Sequence, residues 1–208
     1  MMVEKSVAPK QDQKVREVLI RAGIELIAEK GYDGASISDI ASKAEVTKGA
    51  VYYHFGSKED FVLEIIQQRA MHNIGRFKER QGKPISLAQW IKTSFAMIMG
   101  FPDPAQQQFS LHVMMAGMRP EYERIGNLIA ELHKQWRGLI AEMVTQSIEY
   151  REGNVTADPE IIAVGIMALV DGLLIHSRLE SQIFTEDAFI ERLEPLLELW
   201  IMQNPVEE

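Results

Sequence analysis

Val15, Val18, Leu19, Ala22, Leu26 and Ile27 recur at three- and four-residue spacing. That is the period of one helix face, and it predicts a helix from about Asp12 to Lys30. Gly31 stands where a left-handed C-terminal cap is wanted, and Tyr32 is placed to pack back over that end. Ser36 opens a second, short helix. Asp39, three residues on, gives a capping-box-like start, and Ile37, Ile40, Ala41 and Ala44 form one apolar face. Glu45-Val46 is a tight turn. Thr47 then caps a third helix from Lys48 to about His54, and Ser57, with Asp60 three residues on, opens a fourth that runs to about Gln81.

Beyond Gly82-Lys83-Pro84 the same period continues in longer segments. Helices are predicted from Ser86 to near Gly100, from about Ala105 to Gly117, from Glu121 to Tyr150, from Asp158-Pro159 to about Glu180, and from Thr185 to about Gln203. Pro195 falls inside the last and predicts a kink or break there. No run alternates apolar and polar residues over strand length, and no Asn-Gly or Asp-Gly hairpin lies between β-branched runs. The fold class is therefore all-α, with about nine helices.

Composition narrows the possibilities. The 208 residues are 46% hydrophobic and 25% charged, ordinary for a folded soluble protein. No cysteine is present, which excludes disulfides, thiolate metal sites and a cysteine nucleophile and fits a reducing cytoplasm. The polar start MMVEKSVAPKQDQK lacks the apolar core of a signal peptide. The longest apolar run, IIAVGIMALV at 161–170, is well short of the roughly 20 residues of a membrane span. The net charge is −8, but residues 1–60 hold 9 Lys+Arg against 10 Asp+Glu, so the excess acid lies beyond them.

Enzyme chemistry finds no support. A di-iron helical bundle needs Glu-x-x-His pairs, and the residues three before the five histidines are Val51, Arg69, Phe109, Ala130 and Leu173. There is no Gly-x-Ser-x-Gly elbow, no phosphate-binding glycine loop and no His-Glu-x-x-His. His176 and Glu180 stand four apart, but two ligands read better as a solvated pair. No metal or cofactor is expected.

The stretch VTKGAVYYHFGSKED, residues 46–60, points elsewhere. Four consecutive aromatic rings on a helix cannot all be buried. Val51 and Phe55, four apart, can face the core, which leaves Lys48, Tyr52 and part of Tyr53 outward. Gly49 and Ala50 make the helix start nearly bare, so the backbone can approach base edges closely. Phenolic hydroxyls and an imidazole suit phosphate contacts because they donate hydrogen bonds without net charge. Lys58 adds a cation beside the free N–H groups of the next helix start. Helix, tight turn and exposed short helix make a DNA-binding shape, although an ordinary pair of packed helices would share the spacing.

SISDIASKAEVTKGAVYYHFGSKEDFVLEII (36–66), following IRAGIELIAEKGYDGA (20–35), resembles the DNA-binding domain of the TetR/AcrR family of bacterial transcriptional repressors. The resemblance covers roughly residues 14–66. It implies an N-terminal three-helix helix-turn-helix domain, residues 1–60 with a flexible arm at 1–11, followed by a ligand-binding and dimerisation domain, residues 61–208. It also implies a homodimer that sets each third helix, residues 47–54, in the major groove of a palindromic operator. Carried onto this sequence, Thr47, Lys48, Gly49 and Ala50 meet bases, with Lys48 the candidate for guanine O6/N7 and Ala50 for a thymine methyl. Tyr52, Tyr53, His54 and Lys58 hold phosphates, helped by the start of the second helix at Ser36. Release by a hydrophobic or amphipathic small molecule is implied as well. The alternative is an activator or a ligand-independent DNA-binding protein.

The second half is rich in flexible apolar residues, which suit an adaptable binding surface between bundle helices. Trp90, Met97, Phe109, Met114, Met115, Met118 and Trp136 are the apolar candidates for an effector site. His112 and Asp171 are the polar ones, with His133 and Gln135 beside them. Val164, Ala168, Gly172 and Ile175, with Leu193, Leu197 and Trp200 of the last helix, resemble the family's four-helix dimer seam.

Overall fold

A computed structural model describes residues 10–79, 104–147, 152 and 157–179. Within them the regular structure is seven α-helices and one 3-10 turn, with no strand. The helices are α1 (Lys10–Gly34), α2 (Ile37–Lys43), α3 (Lys48–Phe55), α4 (Lys58–Lys78), α5 (Pro104–Gly117), α6 (Glu123–Gln146) and α7 (Pro159–Leu179), with the 3-10 turn at Pro120–Tyr122 before α6. The helices expected at 86–100 and 185–203 lie outside the described residues, as do the arm before residue 10 and the candidates Trp90, Met97, Leu193, Leu197 and Trp200.

The chain forms two compact units, Met1–Arg69 with Asp103–Gly126 and Ala70–Pro102 with Asn127–Glu208. The first extends beyond residue 60. It takes in the opening of α4, all of α5 and the 3-10 turn, and α1 packs along α5 as well as against α2. Leu19, Ile27, Ile40, Val51, Phe61, Val62 and Ile65 are fully buried, as are Phe109 and Ile125. The rings of Phe55 and Phe61 meet edge to face at 4.7 Å. Gly31 (φ +76°, ψ 171°) kinks α1 with positive φ, as the sequence predicts. The helix nevertheless resumes and ends at Gly34. Tyr32 is buried, edge-on to Tyr122 at 4.6 Å.

In the second unit Phe77, Ile140, Met143, Val144, Ile162 and Ile166 form the core, with Trp136, Leu139 and Met167 packed on it. Trp136 and Phe77 meet edge to face at 5.4 Å, and Arg137 pairs with Glu160 at 3.0 Å. Among the described residues no helix is long and apolar enough to cross a membrane.

Candidate nucleic-acid interface

Each short helix of the α2–α3 pair starts on a side-chain cap. A helix start leaves backbone N–H groups without partners, and a short oxygen-bearing side chain answers one of them. At α2 the Ser36 hydroxyl accepts from the Asp39 N–H (3.1 Å), and the Asp39 carboxylate accepts from the Ser36 N–H (3.1 Å) and hydroxyl (2.8 Å). These bonds hold the Asp39 carboxyl below its ordinary range. At α3 the Thr47 hydroxyl accepts from the Ala50 N–H at 3.2 Å. The turn between the helices is closed by the Val46 N–H on the Ala41 carbonyl at 3.0 Å. It carries Glu45 in the left-handed region, φ +56°.

α3 is fixed inward by Val51 and Phe55, both buried. Outward it presents Thr47, Lys48 and Gly49 exposed and Ala50 half-buried. Tyr53 is 79% exposed and Tyr52 45%. The Lys48 ammonium lies 5.7 Å from the Tyr52 ring centroid. A Cβ on Gly49 would touch nothing nearer than the Thr47 hydroxyl at 3.8 Å. Internal packing therefore does not demand glycine there. Nearby cations are engaged: Lys43 pairs with Glu25 at 2.9 Å, and Lys30 lies 4.0 Å from Asp39.

Two of the residues read as phosphate ligands face the protein. The His54 side chain is only 8% exposed, and its Nε2 lies 3.6 Å from the Asp12 carboxylate. Its ring meets Tyr53 edge to face at 5.2 Å. Lys58 donates to the Tyr32 carbonyl, with its ammonium 4.3 Å from the Tyr32 ring centroid. Burial holds that ammonium below the ordinary lysine range. Burial first, then the Glu59 charge, push the Tyr32 phenol up to about 12. Ser36 is exposed, with its N–H and hydroxyl both on Asp39.

A polar cluster behind the α3–α4 corner was not legible in the sequence. Arg119 pairs with one oxygen of Asp33 at 2.7 Å, while Tyr122 donates to the other across 89 residues of sequence. Arg124 donates to Glu59 at 2.8 Å and to Asp60 at 2.7 Å. The Ser57 hydroxyl caps α4, accepting from the Asp60 N–H at 3.0 Å, and donates to Asp60 Oδ2 at 2.5 Å. Hydrogen bonds from Arg119 and Tyr122 hold Asp33 below the ordinary carboxylate range, and those from Ser57 and Arg124 do the same for Asp60. No local pattern marks these partners, since each bridge joins helices far apart in sequence.

The described effector candidates fall in both units. Phe109 is buried core with the Arg69 guanidinium 5.8 Å from its ring centroid, and His112 packs against Gly31, with its ring 3.0 Å from the Gln108 amide. Met114 is half-buried, while Met115 and Met118 are exposed. In the second unit Trp136 packs on the core. Burial pushes the Asp171 carboxyl up against the opposing effect of the His133 charge. Along α7, Ile161 (65%), Val164 (51%), Ala168 and Ile175 are exposed. At spacings of three, four and seven they share one helix face. Gly172 is half-buried, with open space where a Cβ would stand.

Two capped helices joined by a tight turn, the second bearing an exposed aromatic and cationic tip, define a helix-turn-helix DNA-binding protein. Residues 19–65 match the family described as bacterial regulatory proteins, tetR family, and residues 97–200 match the C-terminal domain of BetI-type transcriptional repressors. The chain belongs to the TetR family of DNA-binding transcriptional regulators. It is similar to the uncharacterized HTH-type transcriptional regulator YwcC of Bacillus subtilis (26% identity over 187 residues, 85% of this chain and 82% of the relative). It is also similar to the fatty acid metabolism regulator protein of the same organism (25% over 155 residues, 74% and 78%). Among solved structures, Salmonella enterica GusR shares the fold at a TM-score of 0.75 and 21% identity, over 95% of this chain and 99% of that one.

Proposed function

We propose that this regulator is a dimeric repressor of a palindromic operator, read by the α3 tip and released by a hydrophobic or amphipathic small molecule. The observation that carries the proposal is the side-chain division on α3. Val51 and Phe55 are buried, while Thr47, Lys48, Gly49, Tyr52 and Tyr53 stand exposed around a nearly bare helix start. Lys48 and Ala50 read base edges, and Tyr52 and Tyr53 donate to phosphates. His54 and Lys58 support the tip from within, consistent with their contacts to Asp12 and Tyr32.

The match to a BetI-type repressor C-terminal domain supports repression, and the relative named a fatty acid metabolism regulator supports an apolar effector. The exposed Ile161–Val164–Ala168–Ile175 face of α7 supports dimerisation, since an apolar helix stripe in water calls for a partner. The protein works where the DNA is, in the cytoplasm, and needs no cofactor.

The test is selection of bound duplexes from a random pool. Long-chain acyl thioesters and other amphipathic compounds are then screened for release of the winning site. Enrichment of a two-fold symmetric site that one compound releases is the expected result. An asymmetric site bound as a monomer contradicts the dimer, and a site that no compound releases favours a ligand-independent regulator.

A further inference from the structure

We propose that Arg119, Tyr122 and Arg124 are positioning residues for DNA recognition, which hold the α3–α4 corner against the end of α1. The proposal rests on the operator-binding reading above. All of its contacts lie in the first compact unit.

The first three residues of α4 are each engaged. Lys58 donates to the Tyr32 carbonyl, and Glu59 and Asp60 both accept from Arg124, at 2.8 and 2.7 Å. Asp60 divides its oxygens. Oδ1 takes Arg124, while Oδ2 takes the Ser57 hydroxyl that caps α4. One residue before Ser57, Gly56 closes α3 at φ +75° with its N–H on the Tyr52 carbonyl at 2.9 Å. A continuous path of bonds thus runs from Arg124 through Asp60 and Ser57 to the end of the helix that carries Tyr52 and Tyr53. The same short segment holds the end of α1 through the Arg119 and Tyr122 contacts to Asp33.

The segment also makes contacts within itself. The Tyr122 N–H donates to the Arg119 carbonyl at 3.1 Å, and the Arg119 guanidinium lies 4.6 Å from the Tyr122 ring centroid. The backbone of Gly126 approaches Gly117 so closely that a Cβ would lie 2.4 Å from the Gly117 oxygen. Exposed ion pairs of this kind add little to stability, because solvent screens them. An arginine fork across two carboxylates does, however, fix direction as well as distance. The cluster therefore acts chiefly on where α3 stands, which decides base contacts more than it decides general phosphate attraction.

The experiment measures affinity of wild type, Arg124→Ala and Arg124→Lys for the selected operator and for a random duplex, with the thermal midpoint recorded for each. Arg124→Ala is expected to weaken operator binding about tenfold, the scale of a coupling residue that touches no ligand. Random-duplex binding changes less than about twofold, because the phosphate term is retained. Arg124→Lys recovers only part of the loss, since a point charge replaces the fork. Unchanged operator affinity in Arg124→Ala overturns the proposal. So does an equal loss on operator and random duplex, or a lysine variant equal to wild type. A wild-type chain that enriches no duplex at all overturns the operator reading and this proposal with it, and is recognised by failing before any variant is compared.

Discussion

A Cβ on Gly23 would lie 2.2 Å from Cε1 and 2.3 Å from Cζ of Phe61, so the ring occupies the volume a larger residue would need. Phe61 is fully buried and is itself braced edge-on by Phe55, so it has little room to yield. Gly23→Ala gains up to about 1 kcal/mol of helix propensity but overpacks the core at a cost of about 1–3 kcal/mol. Net destabilisation of about 1–2 kcal/mol is expected by chemical denaturation. A variant as stable as wild type would show that Phe61 moves freely.

Gly49 is the contrasting glycine. Its Cβ position is open except for the Thr47 hydroxyl at 3.8 Å. Gly49→Ala should leave stability unchanged or raise it by up to about 1 kcal/mol. It should still weaken operator binding, because the added methyl stands where the backbone approaches base edges. Parallel melting and DNA-binding measurements separate the two effects.

Glu45 sits at φ +56° in the turn between α2 and α3. A left-handed conformation costs a residue with a Cβ about 1–2 kcal/mol, a cost glycine escapes, partly offset by glycine's greater unfolded freedom. Glu45→Gly is expected to stabilise the fold by about 0.5–1 kcal/mol, read as a raised denaturation midpoint. A destabilised variant would mean that the Glu45 side chain contributes more than its backbone strain removes.

Acid should loosen the first unit in a defined way. Asp33, Asp39 and Asp60 are all held below their ordinary 3.8 by hydrogen bonds, from Arg119 for Asp33, Ser36 for Asp39 and Ser57 for Asp60 as the leading causes. A depressed folded-state value favours the fold above the unfolded value, and that contribution is lost as pH falls through the folded one. Stability measured from pH 5 down to pH 2 should therefore decline below about pH 4. Asp33→Asn should flatten part of that decline. An unaltered profile in the variant would remove Asp33 from the account.

The elements that depend on local chemistry were readable in advance. The caps at Ser36 and Thr47, the positive-φ Gly31 and the inward pair Val51–Phe55 all appear where spacing and residue type place them. What escaped were directions set by distant partners. His54 reads as a phosphate donor, whereas in the structure its side chain is nearly buried, with Nε2 3.6 Å from the carboxylate of Asp12 on α1. Lys58 reads as a phosphate clamp, whereas in the structure its ammonium donates to the Tyr32 carbonyl, a partner 26 residues away in sequence. The Arg119, Tyr122 and Arg124 bridges, and the extension of the first unit past residue 60, depend on tertiary packing that no helical period encodes.

The most direct test of the central claim compares wild type with Lys48→Ala on the selected operator and on single-base variants of it. A loss of about 1–3 kcal/mol is expected, with relaxed discrimination at one symmetric base position and unchanged discrimination elsewhere. Equal affinity and an identical pattern of base preference in Lys48→Ala would contradict the assignment of the α3 tip as the part of the molecule that reads DNA.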